Sequence, residues 1–263
     1  MRVDKLSVPG AVLHHEVRGS GPLVLLICGG IYDAAGFAPL ADALARRYAV
    51  VTYDRRGNSR SPLDGPPAVQ DVAEHAADAH RLISHFGGPA FVFGNSSGAQ
   101  IGLALAARHP EAVRVLAAHE PPLFSLLPDA AKWRSVIDDV GEAYRAGGAG
   151  AAMGVLGAAL GGGEEDPGPQ DPEMLARIPA NLDTFAGYEV PGFGRAPVDL
   201  DLGVPVVPLV GAASAGEPAH EATLALARHL GVEPRTVPGG HGGFGPHAAA
   251  FATALTQAFE ESR

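Results

Sequence analysis

Cysteine is nearly absent from this 263-residue sequence. Cys28 stands alone, so the chain can form no internal disulfide and offers no thiolate cluster for zinc. Basic residues are also scarce, since 19 lysines and arginines face 29 aspartates and glutamates, which gives a formal net charge of −10. Because an acidic surface repels phosphate backbones and anionic lipids, we expect neither nucleic acid nor a membrane as partner.

Long apolar runs are missing as well. Met1–Leu6 lacks the apolar stretch of a signal peptide, and Gly147–Gly163 is Gly/Ala-rich and shorter than the ~20 strongly apolar residues of a membrane span. We therefore expect a cytoplasmic protein. Hydrophobic residues nevertheless make up 46% of the chain, enough for a sizeable core in one large domain that carries an insertion.

The first half of the chain alternates apolar runs with stretches of helical spacing. This alternation is typical of an α/β fold, in which helices cover both faces of a mostly parallel sheet. Strands are predicted at Ala11–Arg18, Leu23–Cys28, Tyr48–Tyr53, Ala90–Phe93 and Ala112–Ala118, and helices at Phe37–Arg47, Val69–Phe86 and Ala99–Arg108.

The alternation stops at residue 123 and resumes near residue 198. Between them the pattern is helical, with helices predicted at Asp129–Ala146 and Ala149–Leu160 and a break at Asp166–Pro169. Further strands are predicted at Val204–Val210 and Arg235–Pro238, and helices at Ala219–Leu230 and Pro246–Glu261. We interpret residues 1–122 and 198–263 as the core and 123–197 as a helical cap over the strand ends, where such sheets bind ligands.

Residues 94–98 read Gly-Asn-Ser-Ser-Gly, a match to Gly-x-Ser-x-Gly. A buried strand precedes the motif and a helix of small residues follows it, so Ser96 is predicted on a tight strand-to-helix turn. Glycines on both sides let the backbone pass without a Cβ clash. This arrangement predicts Ser96 as a nucleophile and the Ser97 N–H, at the helix N-terminus, as a donor to an oxyanion.

A second oxyanion donor is expected from the loop after an earlier strand. Gly29 and Gly30 follow the predicted strand Leu23–Cys28 at that place. Either glycine allows a close approach of backbone to substrate, and the sequence does not decide which N–H donates.

Eleven histidines compete for the role of general base. His241 lies in a glycine-rich loop between the last strand and the last helix. In folds that carry the Gly-x-Ser-x-Gly motif, the base follows the serine and the acid in the chain, as His241 does here. His247, at the start of that helix, is the nearest rival. We expect His75, His80 and His85, on a predicted helix, to be surface residues.

The acid is open to two interpretations. The loop Gly211–Gly216, after the strand Val204–Val210, holds no carboxylate, and the first one that follows is Glu217. Glu120 ends the strand that follows the nucleophile helix, where an imidazolium would compensate the cost of burying its charge. We favour Glu120 and keep Glu217 as the alternative.

A family resemblance rests on four segments of the chain: Gly94–Ala99, His119–Glu120 with Pro122, Val210–Ala213, and Pro238–His241. They resemble α/β-hydrolases, and within these the zearalenone lactone hydrolase group and its bacterial relatives. The resemblance implies a triad of Ser96, Glu120 and His241. It covers most of the core and is patchy in the cap, where Phe185 stands for the tryptophan of the lactonases.

We therefore expect a serine hydrolase that cleaves a small hydrophobic ester or lactone without metal or cofactor, by acyl transfer. A homodimer is left open. The alternatives are a non-hydrolytic enzyme of this fold, such as a cofactor-free oxygenase, a perhydrolase or a cyclase, and a ligand-binding protein that kept the fold. Substrate contacts are predicted for six apolar residues, which could equally serve as cap packing: Ile31, Leu123, Phe124, Trp133, Met153 and Phe185.

Overall fold

The computed structural model describes residues 1–161 and 170–261, so the break predicted at Asp166–Pro169 lies outside the described residues. The described strands are β1 (Arg2–Val8), β2 (Ala11–Arg18), β3 (Leu23–Ile27), β4 (Ala49–Tyr53), β5 (Ala90–Asn95), β6 (Val113–His119), β7 (Val206–Gly211) and β8 (Arg235–Val237). They form one sheet in the order β1-β2-β4-β3-β5-β6-β7-β8. Only the β1–β2 and β2–β4 pairs are antiparallel, so the predicted mostly parallel α/β fold is confirmed.

Helices connect the strands and cover both faces of the sheet. The described α-helices are α1 (Ala38–Leu44), α2 (Val72–His85), α3 (Ser97–Arg108), α4 (Ala130–Leu160), α5 (Pro172–Thr184), α6 (Val190–Phe193), α7 (Pro218–Leu230) and α8 (Ala248–Glu261). Residues of α2, α3 and α7 belong to one buried apolar cluster, and residues of α1 and α8 to another. None of the described helices is long and apolar enough to cross a membrane.

Strand β1 was not predicted from the sequence. Most of its side chains are exposed, so it shows no apolar alternation. It forms because it pairs with β2 along its whole length, from Arg2 opposite Val17 to Val8 opposite Ala11. Backbone hydrogen bonds, rather than burial of side chains, account for this edge strand.

Helices α4–α6, which we call the cap, lie between β6 and β7 in the chain. Helix α4 kinks at Gly148, whose φ of 74° lies in the left-handed region, and the kink separates the two predicted helices there. A short π-helix, Phe185–Glu189, joins α5 to α6. The cap has an apolar cluster of its own, built from Ile137, Val140, Ala152, Leu156, Ala186 and Val190.

Candidate active site

Ser96 lies between β5 and α3 with φ of 56° and ψ of −126°, a strained conformation for a residue with a side chain. The two motif glycines permit this turn. A Cβ on Gly94 would lie 2.4 Å from the Gly98 carbonyl oxygen, and a Cβ on Gly98 would lie 2.1 Å from the Ile27 oxygen. No larger residue would fit at either position, so the strand and the helix pack this closely because both residues are glycine. The close packing holds Ser96 above the sheet.

Gly29 and Gly30 play different parts beside this turn. A Cβ on Gly29 would lie 2.3 Å from the Asn95 oxygen, so Gly29 lets its loop pack against the turn. Gly30 has φ of 57° and open space where a Cβ would be. Its N–H donates to the Ser97 hydroxyl at 3.0 Å, which places this donor next to the turn that holds Ser96.

Glu120 and His241 are adjacent in space although 121 residues separate them in sequence. Glu120 Oε2 lies 2.7 Å from His241 Nδ1. Glu120 is fully buried and, like Ser96, has a positive φ, here 47°. Its N–H donates to the Leu209 oxygen at 3.2 Å, which fixes the carboxylate at the end of the sheet.

The other oxygen of Glu120 is held by the loop that lacks a carboxylate. Oε1 accepts from the Gly211 N–H at 2.8 Å and from the Ser214 hydroxyl. Ser214 also lies 3.2 Å from Nδ1 of His220. Burial raises the pKa of Glu120, but the hydrogen bond from His241, nearby imidazoles and the Ser214 bond outweigh it and lower that pKa to about 2. Glu120 is therefore a carboxylate at neutral pH.

Asn95, the second residue of the motif, holds the backbone of His241. Its side-chain amide donates to the His241 carbonyl oxygen at 3.1 Å and lies 3.1 Å from His119 Nδ1. Burial lowers the pKa of His119 to about 3, so its ring is neutral and Nδ1 can accept from Asn95. Sequence reasoning missed Asn95, Ser214 and His220; the only signal was their position beside predicted site residues.

The alternative candidates for the acid and the base are not among the described lining residues of the cavity at Ser96. Glu217 is the N-cap residue of α7, and His247 is exposed just before α8. The expected surface position of His75 is wrong: it is 1% exposed and its Nε2 lies 2.5 Å from Gln70 Oε1. His75 is buried because its ring packs against Phe193 of α6, with 5.2 Å between the ring centroids. His80 is partly exposed and His85 is exposed.

Ser96 and His241 line a partly open cavity with about 580 Å³ of empty space, part of which is open solvent. Of the six predicted substrate contacts, Phe124 and Phe185 line this cavity. Leu123 and Trp133 line a neighbouring cavity. The Trp133 ring stacks on Phe124 at 4.0 Å between centroids, and this packing keeps it behind the wall of the Ser96 cavity.

Ile31 and Met153 also lie away from the described lining of the Ser96 cavity. The Ile31 carbonyl accepts from Asn181, and Met153 packs against the apolar cluster of the cap. Lining residues that the sequence did not predict as substrate contacts are Gln100, Pro122, Ile137, Leu156, Leu160, Glu189, Val190, Phe193, Gly194 and Ala219. Apolar spacing marked several of them as buried, but spacing does not show which cavity a buried face lines.

The cap holds the glycine loop through buried polar contacts. Arg55 pairs with Glu189 of the cap, and its Nη2 donates to the Gly30 oxygen at 2.5 Å. Asn181 of α5 donates to the Ile31 oxygen at 2.9 Å. These contacts link the cap to the loop that carries the Gly30 N–H.

Comparison with known proteins gives both a family and relatives. The family model described as alpha/beta hydrolase fold matches residues 22–168, more than half of the chain. A Bacillus subtilis (strain 168) protein, described as the uncharacterized hydrolase YraK, is 54% identical over 123 residues. That match covers 46% of this chain and 45% of the relative, so the chain spans less than half of the length of that protein.

Two solved structures share the whole architecture. A thermophilic esterase from Thermogutta terrifontis superposes with a TM-score of 0.78 at 23% identity, covering 100% of this chain and 99% of the other. An enol-lactonase from Burkholderia xenovorans LB400 superposes with a TM-score of 0.67 at 20% identity, covering 98% and 100%. At these identities the likeness concerns the fold.

Proposed function

The chain belongs to the α/β-hydrolase family, and on that premise we propose that it is a serine hydrolase that cleaves a carboxylic ester or lactone through an acyl-enzyme on Ser96. One observation carries the proposal: the buried Glu120 carboxylate lies 2.7 Å from His241 Nδ1, and His241 shares a cavity with Ser96. A histidine oriented by a carboxylate beside a serine is the arrangement that activates a hydroxyl nucleophile.

The proposed reaction begins when Ser96 Oγ attacks the carbonyl carbon and His241 takes its proton through the ring nitrogen that Glu120 leaves free. Glu120 stabilises the imidazolium that forms. The N–H groups of Ser97 and Gly30 bind the oxyanion. His241 then gives its proton to the leaving alcohol, and a water molecule, activated by His241, releases the acyl group from Ser96.

The substrate is proposed to be hydrophobic, because mostly apolar side chains, among them Phe124, Phe185 and Phe193, surround Ser96 in the cavity. The lactone option rests on the resemblance of four sequence segments to the zearalenone lactone hydrolase group. The position of Phe185 in the cavity supports its proposed correspondence to the cap tryptophan of the lactonases.

The test combines covalent labelling with turnover. We expect a fluorophosphonate probe to label the wild-type chain at Ser96, and a panel of esters and lactones of graded acyl length to be hydrolysed. Ser96→Ala should lose labelling and at least about 10⁴-fold in kcat, with little change in thermal stability. Ser135→Ala, which removes an exposed hydroxyl in α4, is the matched control and should behave as wild type.

A folded wild-type chain that neither reacts with the probe nor turns over any ester would contradict the proposal. That result would favour a non-hydrolytic enzyme or a ligand-binding protein on the same fold. Turnover by Ser96→Ala within tenfold of wild type would contradict the acyl-enzyme on Ser96.

A further inference from the structure

The Ser97 hydroxyl lies where an oxyanion is expected to be bound. Ser97 is 4% exposed and lines the cavity together with Ser96. Its Oγ accepts the Gly30 N–H at 3.0 Å, and that N–H is one of the two donors assigned to the oxyanion above. The Ser97 hydroxyl therefore accepts the hydrogen bond that the Gly30 N–H would otherwise donate to the oxyanion.

The hydrogen-bonding capacity of Ser97 is not used up by this contact. A serine hydroxyl has one proton to donate and two lone pairs. Among the described residues, the Gly30 N–H is its one hydrogen-bond partner, so the hydroxyl proton has no acceptor there. The Ser97 N–H is also available, because it lies in the first turn of α3, where no intrahelical acceptor exists.

We propose that the Ser97 hydroxyl is a catalytic group that donates its proton in a hydrogen bond to the oxyanion, while the Gly30 N–H donates to Ser97 Oγ. The inference rests on the proposed function and changes one donor in it: the Ser97 hydroxyl, and not the Gly30 N–H, binds the oxyanion beside the Ser97 N–H, and Gly30 acts through Ser97. A hydroxyl that accepts one hydrogen bond becomes a better donor in the next, and a donor to a charged oxygen forms a stronger bond than one to a neutral oxygen.

The electron and proton balance is simple. As the Ser96 Oγ–carbon bond forms, the carbonyl π pair moves to the carbonyl oxygen, and the Ser96 proton goes to His241. The oxyanion accepts hydrogen bonds from the Ser97 N–H and O–H. When the pair returns, the bond to the alcohol breaks and the alcohol leaves with the proton from His241. Ser97 keeps its own proton throughout.

A gain confined to the charged oxygen should appear in kcat and not in KM. We expect Ser97→Ala, which keeps the backbone N–H, to lower kcat for an activated ester about 10- to 100-fold. KM should stay within about threefold, because the neutral carbonyl gains little from the hydroxyl. Ser97→Thr keeps the hydroxyl and should retain most of the activity.

Binding of a trifluoromethyl ketone supplies the second readout, since its adduct with Ser96 carries the same oxyanion. Its affinity for Ser97→Ala should fall by the same factor as kcat/KM. Equal losses in the Ala and Thr variants, or unchanged ketone affinity in Ser97→Ala, would overturn the inference while leaving the hydrolase intact. A wild-type chain without probe labelling or turnover would overturn both. Ser135→Ala controls for the loss of a serine hydroxyl elsewhere.

Discussion

Backbone strain is concentrated in the residues proposed for catalysis. In the described part of the chain, three residues other than glycine have positive φ: Ser59, Ser96 and Glu120. Such conformations cost on the order of 1–3 kcal/mol each and persist only where the surroundings impose them. For Ser96 the surroundings are the packed motif glycines, and for Glu120 they are bonds to Leu209 and Gly211.

Replacing Glu120 by Gln tests whether Glu120 is the acid of the triad, because it exchanges a single carboxylate oxygen for an amide nitrogen. The substitution keeps the volume and removes the charge that stabilises the imidazolium of His241, so kcat should fall about 10²- to 10⁴-fold. Steady-state kinetics with the best ester measures it. Retention of wild-type kcat would show that another group orients His241.

Glu217→Gln is the matched comparison, because it makes the same chemical change in the rival acid. Glu120 already occupies Nδ1 of His241, so we expect Glu217→Gln to change kcat less than about threefold. If the two variants exchanged these effects, Glu217 would be the acid and the arrangement around Glu120 would be structural.

At the scale of elements, the approach of α3 to the sheet depends on glycine. Gly98→Ala would place a Cβ 2.1 Å from the Ile27 carbonyl oxygen, a backbone atom that cannot move without shifting β3. We expect unfolding free energy to fall by about 2 kcal/mol or more and activity to be lost, because overpacking displaces the turn at Ser96. Urea unfolding followed by circular dichroism measures the change.

Gly154→Ala, in the part of α4 that follows the kink at Gly148, is the control for adding the same methyl group. Nothing lies within 4 Å of a Cβ there, so alanine should stabilise the helix by roughly 0.5–1 kcal/mol. A Gly98→Ala protein as stable and active as wild type would show that the close contact is not what holds the nucleophile turn.

At the scale of the whole molecule, the buried ion pair of Arg55 and Glu189 joins cap and core. Arg55 and Glu189 are 0% and 1% exposed in their side chains, and Arg55 also holds the Gly30 oxygen. Removing one partner leaves a buried charge uncompensated, so Arg55→Met should destabilise the protein by about 3–5 kcal/mol.

The double variant Arg55→Met with Glu189→Leu should recover most of that loss, because well-packed apolar side chains can replace a buried pair. Thermal unfolding of the wild type, the Arg55→Met variant and the double variant measures the coupling between the two residues. Additive losses in the double variant would contradict a direct pairing. Activity should stay below wild type in both, since the Gly30 carbonyl loses its donor.

Lowering the pH should destabilise the whole fold already at pH values well above those at which carboxylates titrate. Burial lowers the pKa of His119 to about 3 and that of His75 well below 6.5. The unfolded chain therefore binds more protons below pH 6.5, so stability falls as pH falls. For His119 alone the loss is about 2 kcal/mol at pH 5.

Urea unfolding at pH 7.5 and pH 5 tests this expectation. His119→Gln cannot titrate and should show a smaller drop between the two values than the wild type. His229→Gln, which changes an exposed histidine, should leave the drop unchanged. The same drop in the wild type and in His119→Gln would mean that His119 is protonated in the folded protein.

Local patterns were sufficient for much of this protein. The run of strands and helices, the nucleophile turn at Ser96 and the glycine loop before it each depend on neighbours within a few residues, so the sequence by itself predicts them. The absence of a carboxylate from Gly211–Gly216 is also evident in the sequence, and it favoured Glu120 as the acid. Strand β1 was not predicted, because it forms by edge pairing with β2 and shows no apolar pattern.

Only the tertiary structure decided which distant groups meet. The pairing of Glu120 with His241, the support from Ser214 and the link from Arg55 to the cap join residues more than 90 positions apart. The same packing buried His75 and put Trp133 behind Phe124, although apolar spacing allowed other outcomes. A local pattern shows that a face is buried, but the partner that buries it is set by how whole elements pack, and no neighbouring residue encodes that.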